Sequence, residues 1–140
     1  VILNDVLQQD LMALLNGEST ITDLLGADEN VREAYFQSKE IAYPQIRVSI
    51  MSNDPFNNRD QCEHSNLLFA IRCFAEDSSS GTCQVLAATV VRFMHKKFVT
   101  GTGWKGWARL STLTGPATIR EHLWRVEAMF NMNVYPTTAP

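Results

Sequence analysis

Glu121-His-Leu-Trp-Arg-Val-Glu-Ala-Met-Phe-Asn-Met-Asn-Val134 places Trp124, Val126, Ala128, Phe130, Met132 and Val134 at alternate positions, with Arg125, Glu127, Asn131 and Asn133 between them. Successive side chains of an extended chain point to opposite faces, so this period of two predicts a long strand with one apolar face. Leu123 and Met129 are the apolar exceptions. A strand of this length can reach beyond its own sheet. Pro136 closes it, and Pro-Thr-Thr-Ala-Pro over 136–140 reads as a flexible tail.

The residues before this run supply its neighbours. Trp107–Leu113 is expected to be a strand, ended by a turn at Gly115-Pro116 and preceded by a glycine-rich segment over Gly101–Gly106. Leu86, Ala87, Val90, Val91, Phe93, Met94 and Phe98 recur at helical spacing, which predicts a helix over about 82–98. Lys96 and Lys97 would sit at its negative end. The Asp- and Ser-rich turn 76–82 offers serines as caps for its start. Leu67–Ala75 is almost continuously apolar and reads as a central strand covered on both faces. Ile46, Val48 and Ile50 alternate with polar residues after Pro44, which predicts a half-buried strand over 45–51. Val31–Phe36 is a candidate edge strand.

Leu3, Leu7, Leu11, Leu14 and Leu15 predict an amphipathic helix over 3–16, stopped by Asn16-Gly17 with a left-handed glycine. A second short helix follows to Leu25, capped by Ser19 or Thr20 and closed by Gly26. The chain is therefore expected to be α+β: a small antiparallel or mixed β-sheet with two main helices packed on one face. One domain is expected over 1–135.

Composition bounds the function. The 140 residues are 45% hydrophobic and 19% charged, suited to one core and too apolar for disorder. A net charge of -3 argues against a protein built to grip phosphate backbones. Cys62, Cys73 and Cys83 form neither a disulfide framework nor a C-x-x-C pair, which favours a reducing compartment. The N-terminal residues lack a basic start and a cleavage site, and no apolar run is long enough to span a bilayer.

Catalytic motifs are few. Gly101-Thr-Gly103-Trp-Lys-Gly106 matches G-x-G-x-x-G, but the phosphate-binding version needs a strand before it and a helix after it. Here the expected order is reversed, so a turn is the better reading. Cys62, His64, His95, His122, Cys73 and Cys83 are the possible zinc ligands, spread over unlike elements. Ser78-Ser-Ser80 lacks a partnered base. No cofactor, metal or catalytic residue is assigned. Trp104, Trp107 and Trp124 suit a core or a subunit contact better than base stacking. The polar connection 52–65 is long enough to suggest a functional loop.

Ordered landmarks over roughly residues 3–98 resemble the tail terminator (tail completion) family of long-tailed bacteriophages. They are the leucine-rich first helix, Thr22–Gly26, Tyr43-Pro44 before Ile46–Ser49, a polar loop, the strand Leu67–Phe74, and the acidic Ser/Gly turn Asp77–Gly81 opening the helix. The part after residue 100 matches only as two further strands. The resemblance implies a virion structural protein of the tail or neck, assembled in the host cytoplasm. It implies a homohexameric ring seated on the last ring of tail tube protein, ending tube growth and offering a surface to a neck or head completion protein. DNA would pass through the lumen without specific binding, which suits a weakly acidic chain; no membrane is involved. Under this reading the subunit contacts are expected at Asp54, Phe56, Asn57, Arg59 and Asp60 of the loop, at Trp104 and Trp107, and at Arg125 and Glu127. The alternatives are another connector or stopper of the neck, or a small enzyme or ligand-binding domain using Cys62, His64 or Gly101–Gly106.

Overall fold

The computed structural model describes residues 3–26, 31–33, 43–55 and 64–137. In chain order these form α1 (Asn4–Asn16), α2 (Ser19–Leu25), β1 (Val31–Glu33), β2 (Gln45–Pro55), β3 (Ser65–Glu76), α3 (Gly81–Met94), β4 (Lys97–Gly101), β5 (Trp104–Arg120) and β6 (Leu123–Pro136). The strands make one mixed six-stranded sheet in the order β1-β2-β3-β6-β5-β4, curled into a half-barrel. Only the β1–β2 pair is parallel among the described strands.

β6 lies at the centre, and its alternation sets the register of everything beside it. Phe130 faces Phe69 across the β3–β6 ladder, and Met132, Ala128 and Val126 face Leu67, Ile71 and Cys73. Phe69 and Phe130 stack with ring centroids 5.4 Å apart, and both are fully buried. Leu7, Leu11 and Leu15 of α1 join these residues in one apolar cluster, as do Cys83, Leu86, Val90 and Met94 of α3. α1 lies against β1 and β2, and α3 against β3, β6 and β5. The Cys83 thiol donates to the Cys73 carbonyl at 3.1 Å, and burial pushes the pKa of both thiols upward.

Several elements differ from their sequence expectation for identifiable reasons. The expected helix 82–98 ends at Met94, because Lys96 takes a left-handed backbone (φ 61) that turns the chain into β4. Phe98 fits a helical apolar sector, yet it belongs to that strand. Gly115-Pro116 is no turn; β5 runs on through a bulge between Thr114 and Ala117, and the reversal comes at Glu121-His122. β2 extends to Pro55 and β3 begins at Ser65, so the expected loop 52–65 is shorter at both ends. Gly17 ends α1 in right-handed conformation (φ -84), whereas Gly26 closes α2 in the left-handed one (φ 72). α2 is capped by Glu18, whose carboxylate accepts from the Thr20 N–H.

The serines before α3 do not cap it. Ser80 has an α-like backbone unsuited to that role and makes no capping bond; its Oγ accepts from the Gln84 side chain. Asp77 organises the turn instead, accepting from the Ser78 N–H at 2.6 Å and the Thr82 hydroxyl at 2.9 Å. Those hydrogen bonds, the Ser78 amide foremost, hold its carboxyl below the ordinary range.

Glycines of the G-x-G-x-x-G run are explained by packing. Gly103 turns the β4–β5 hairpin with φ 77. A Cβ at Gly101 would lie 2.1 Å from the Trp104 ring, and one at Gly106 would lie 2.5 Å from the Asn133 carbonyl oxygen. Among the described residues β4 precedes this turn and β5 follows it, so no helix N-terminus faces it.

Candidate assembly surface

The sheet face opposite the apolar cluster carries polar and charged rows. Arg32, Arg47, Arg72, Glu127 and Thr114 stand in register across β1, β2, β3, β6 and β5. Directly opposed like charges repel. Glu127 meets Arg72 with an Oε2–Nε distance of 2.7 Å, both side chains about four-fifths buried (23% and 19% exposed). Arg47 donates from Nε to the Gln45 side chain at 2.9 Å. Replacing Glu127 with Gln keeps the shape but leaves Arg72 without its carboxylate beside Arg47. We expect Glu127→Gln to cost about 2 kcal/mol in urea denaturation. A loss below about 0.5 kcal/mol would make the pair a surface contact of no consequence.

The nine residues expected at subunit contacts separate in the structure. Asp54 is exposed near the end of β2, in register with Asn66. Phe56, Asn57, Arg59 and Asp60 lie outside the described residues, as does Cys62. Arg125 and Glu127 share the polar face, two residues apart on β6. Trp104 belongs elsewhere: it is fully buried in the chain's own core, and its indole N–H donates to Asp10 at 2.7 Å. Asp10 also accepts from the Thr102 N–H and hydroxyl, so α1 fastens the β4–β5 turn. Even-numbered residues at the start of β5 face inward, which buries Trp104 and exposes Trp107 at 55%.

Trp107 has neighbours that the sequence did not bring together. It pairs with Phe98 across β4–β5, ring centroids 5.1 Å apart, and Phe98 is itself 46% exposed. Lys96, Trp107, Arg109, Asn133 and Tyr135 line a shallow cleft of about 480 Å³ beside this pair. Lys96 and Arg109 make no ion pair among the described residues. The one available signal was the alternation Lys105, Trp107, Arg109, which places three polar or amphipathic side chains on one face; Phe98 and Lys96 were hidden in the expected helix.

At the opposite end of β6 the hairpin with β5 runs on beyond Ala108, where pairing with β4 stops. Every residue from Ser111 to Arg120 except Ala117 is exposed, including Leu113 at 52% and Ile119 at 47%. Glu76, Asp77 and Glu121 gather at this tip with Arg120, which bonds Glu76 at 2.7 Å, and with His122, whose carbonyl accepts from the Asp77 N–H. Glu121 is 89% exposed, and its carboxylate lies 3.4 Å from the His122 ring nitrogen.

Among the described residues the histidines and cysteines of the rival reading stand apart. His64 stands edge-on to Tyr135, His95 accepts the Leu110 N–H on its Nδ1, and His122 sits at the hairpin tip. Cys73 and Cys83 are core residues. No group of three His, Cys, Asp or Glu that could hold a metal occurs among the described residues, and no described helix is long and apolar enough to cross a membrane.

A solved chain of the virion of a native gene transfer agent particle is similar in fold. The TM-score is 0.76, over 94% of this chain and 96% of that one, at 15% sequence identity. No protein-family model matches the sequence, and no curated protein matches it.

Proposed function

We propose that this chain is a virion structural protein acting as a tail terminator: a ring that caps the head-proximal end of the tail tube and joins it to the neck. The observation that carries the reading is the fold it shares, along nearly its whole length, with a chain of a gene transfer agent virion. The ordered landmarks over 3–98 support the terminator class within that setting. α1 and α3 contribute to one apolar cluster, which supports both main helices lying on one face and leaves the polar face for neighbours. The exposed hairpin and the aromatic cleft supply unlike patches, as head-to-tail contacts in a ring require.

The partners are then other copies of the chain, six in a ring, the tail tube protein and a neck or head completion protein. DNA passes through the lumen without specific contacts. The work is steric, with no catalytic residue, and its place is the tail or neck of the virion. A connector or stopper of the neck is the second reading, since the same fold likeness favours it equally.

Electron microscopy separates these readings. Purified protein added to growing cognate tail tubes should cap one end and halt elongation at normal length. Tubes that grow on uncapped would overturn the terminator reading, and binding to isolated heads instead would favour the connector.

A further inference from the structure

We infer that successive copies join by seating the acidic tip of the β5–β6 hairpin in the basic aromatic cleft of the next copy. This rests on the ring reading above and names its contact. The cleft combines two cations without ion-pair partners among the described residues, Lys96 and Arg109, with the exposed ring of Trp107, against which the exposed Phe98 packs. The surface that fits it presents carboxylates beside an aliphatic side chain. The hairpin tip offers that chemistry: Glu76, Asp77 and Glu121 outnumber Arg120, and Ile119 is exposed next to them.

The two patches cannot meet within one molecule. Leu123 at the tip and Asn133 at the cleft lie on the same strand, β6, so roughly 30 Å of extended chain separates them. A second copy satisfies both. Tip against tip would oppose carboxylates, and cleft against cleft would oppose cations, so neither patch pairs with its own kind. Repeated head to tail, tip in cleft leaves one tip and one cleft unused at each step, which under the ring reading lets the last copy close on the first. The aromatic pair would form the dry centre, with Lys96 and Arg109 at its rim.

Charge reversal tests this contact. The variants are Lys96→Glu/Arg109→Glu, Glu121→Lys, the triple combination, and Trp107→Ala; all four sites are exposed, so folding should persist by circular dichroism. Assembly is read by sedimentation and negative-stain microscopy at about 0.1 M salt, where exposed charges still act over about 10 Å. Each reversal alone and Trp107→Ala should raise the concentration for ring formation at least about tenfold. The triple variant, and an equal mixture of the two reversed proteins, should recover rings, because a lysine tip then meets a glutamate cleft. Wild-type rings with unaffected variants, or a triple variant no better than the cleft reversal, would overturn this contact and leave the ring reading standing. Wild-type protein that forms no ring, alone or on tail tubes, would overturn both.

Discussion

Phe130→Asp is expected to leave no folded protein. Phe130 is fully buried on the central strand, stacked on Phe69 and surrounded by the cluster that α1 and α3 share with the sheet. Truncating a buried phenylalanine alone costs about 3–5 kcal/mol. A carboxylate without a partner there adds several kcal/mol more, whether it stays charged or takes up a proton. The sum matches the ~5–15 kcal/mol stability of an ordinary domain. Expression in the insoluble fraction and loss of the near-ultraviolet dichroism signal are the expected readouts. Phe130→Leu, which keeps an apolar side chain, should remain folded at a cost of about 1–2 kcal/mol. A soluble, cooperatively melting Phe130→Asp protein that failed only to assemble would move this face of β6 from the core to an interface.

That face was legible because alternation sustained from Trp124 to Val134, despite Met129, has one physical meaning, and six apolar side chains carried it. α1 was legible for the same reason at helical period: Leu7, Leu11 and Leu15 are the residues it buries. Local punctuation misled where tertiary pairing overrode it. Gly115-Pro116 has every mark of a turn, but a ladder on β6 absorbs it as a bulge. Nothing in Lys96 announces a left-handed backbone, since lysine has no preference for it, so α3 seemed to run on and β4 disappeared.

The candidate surface was half visible on the same terms. Arg125 and Glu127 could be placed outward from alternation. Trp104 could not be told from Trp107 by composition; the residue that claims it, Asp10, lies 94 positions away. The cleft draws on Lys96 before β4 and on β5 and β6, and the aromatic pair beside it depends on β4, whose residues fit the expected helix. The acidic tip likewise exists only because the β3–α3 turn and the β5–β6 turn lie side by side, joined by the Asp77 N–H on the His122 carbonyl at 2.8 Å.

Gly101→Ala should be the second most damaging single change, although it adds one methyl group. Its Cβ would lie 2.1 Å from the Trp104 ring, well inside van der Waals contact. The ring cannot retreat cheaply, because it is fully buried and its N–H is held by Asp10 at 2.7 Å. Shifting it would break that bond and open a void, and overpacking a fixed core commonly costs about 1–3 kcal/mol, more where backbone must move. We expect a loss of about 3 kcal/mol in urea denaturation. A double-mutant cycle isolates the cause. Trp104→Leu alone removes a large side chain and should itself be costly, yet it also removes the atoms that Gly101→Ala would strike. The pair Gly101→Ala/Trp104→Leu should therefore cost less than the sum of the single changes by at least about 1 kcal/mol. Additive costs would show that the glycine is needed for its backbone rather than for the indole above it. A nucleotide site, by contrast, would leave the stability of Gly101→Ala nearly unchanged and reduce ligand binding alone. The two roles of one glycine-rich run thus separate in a melting curve.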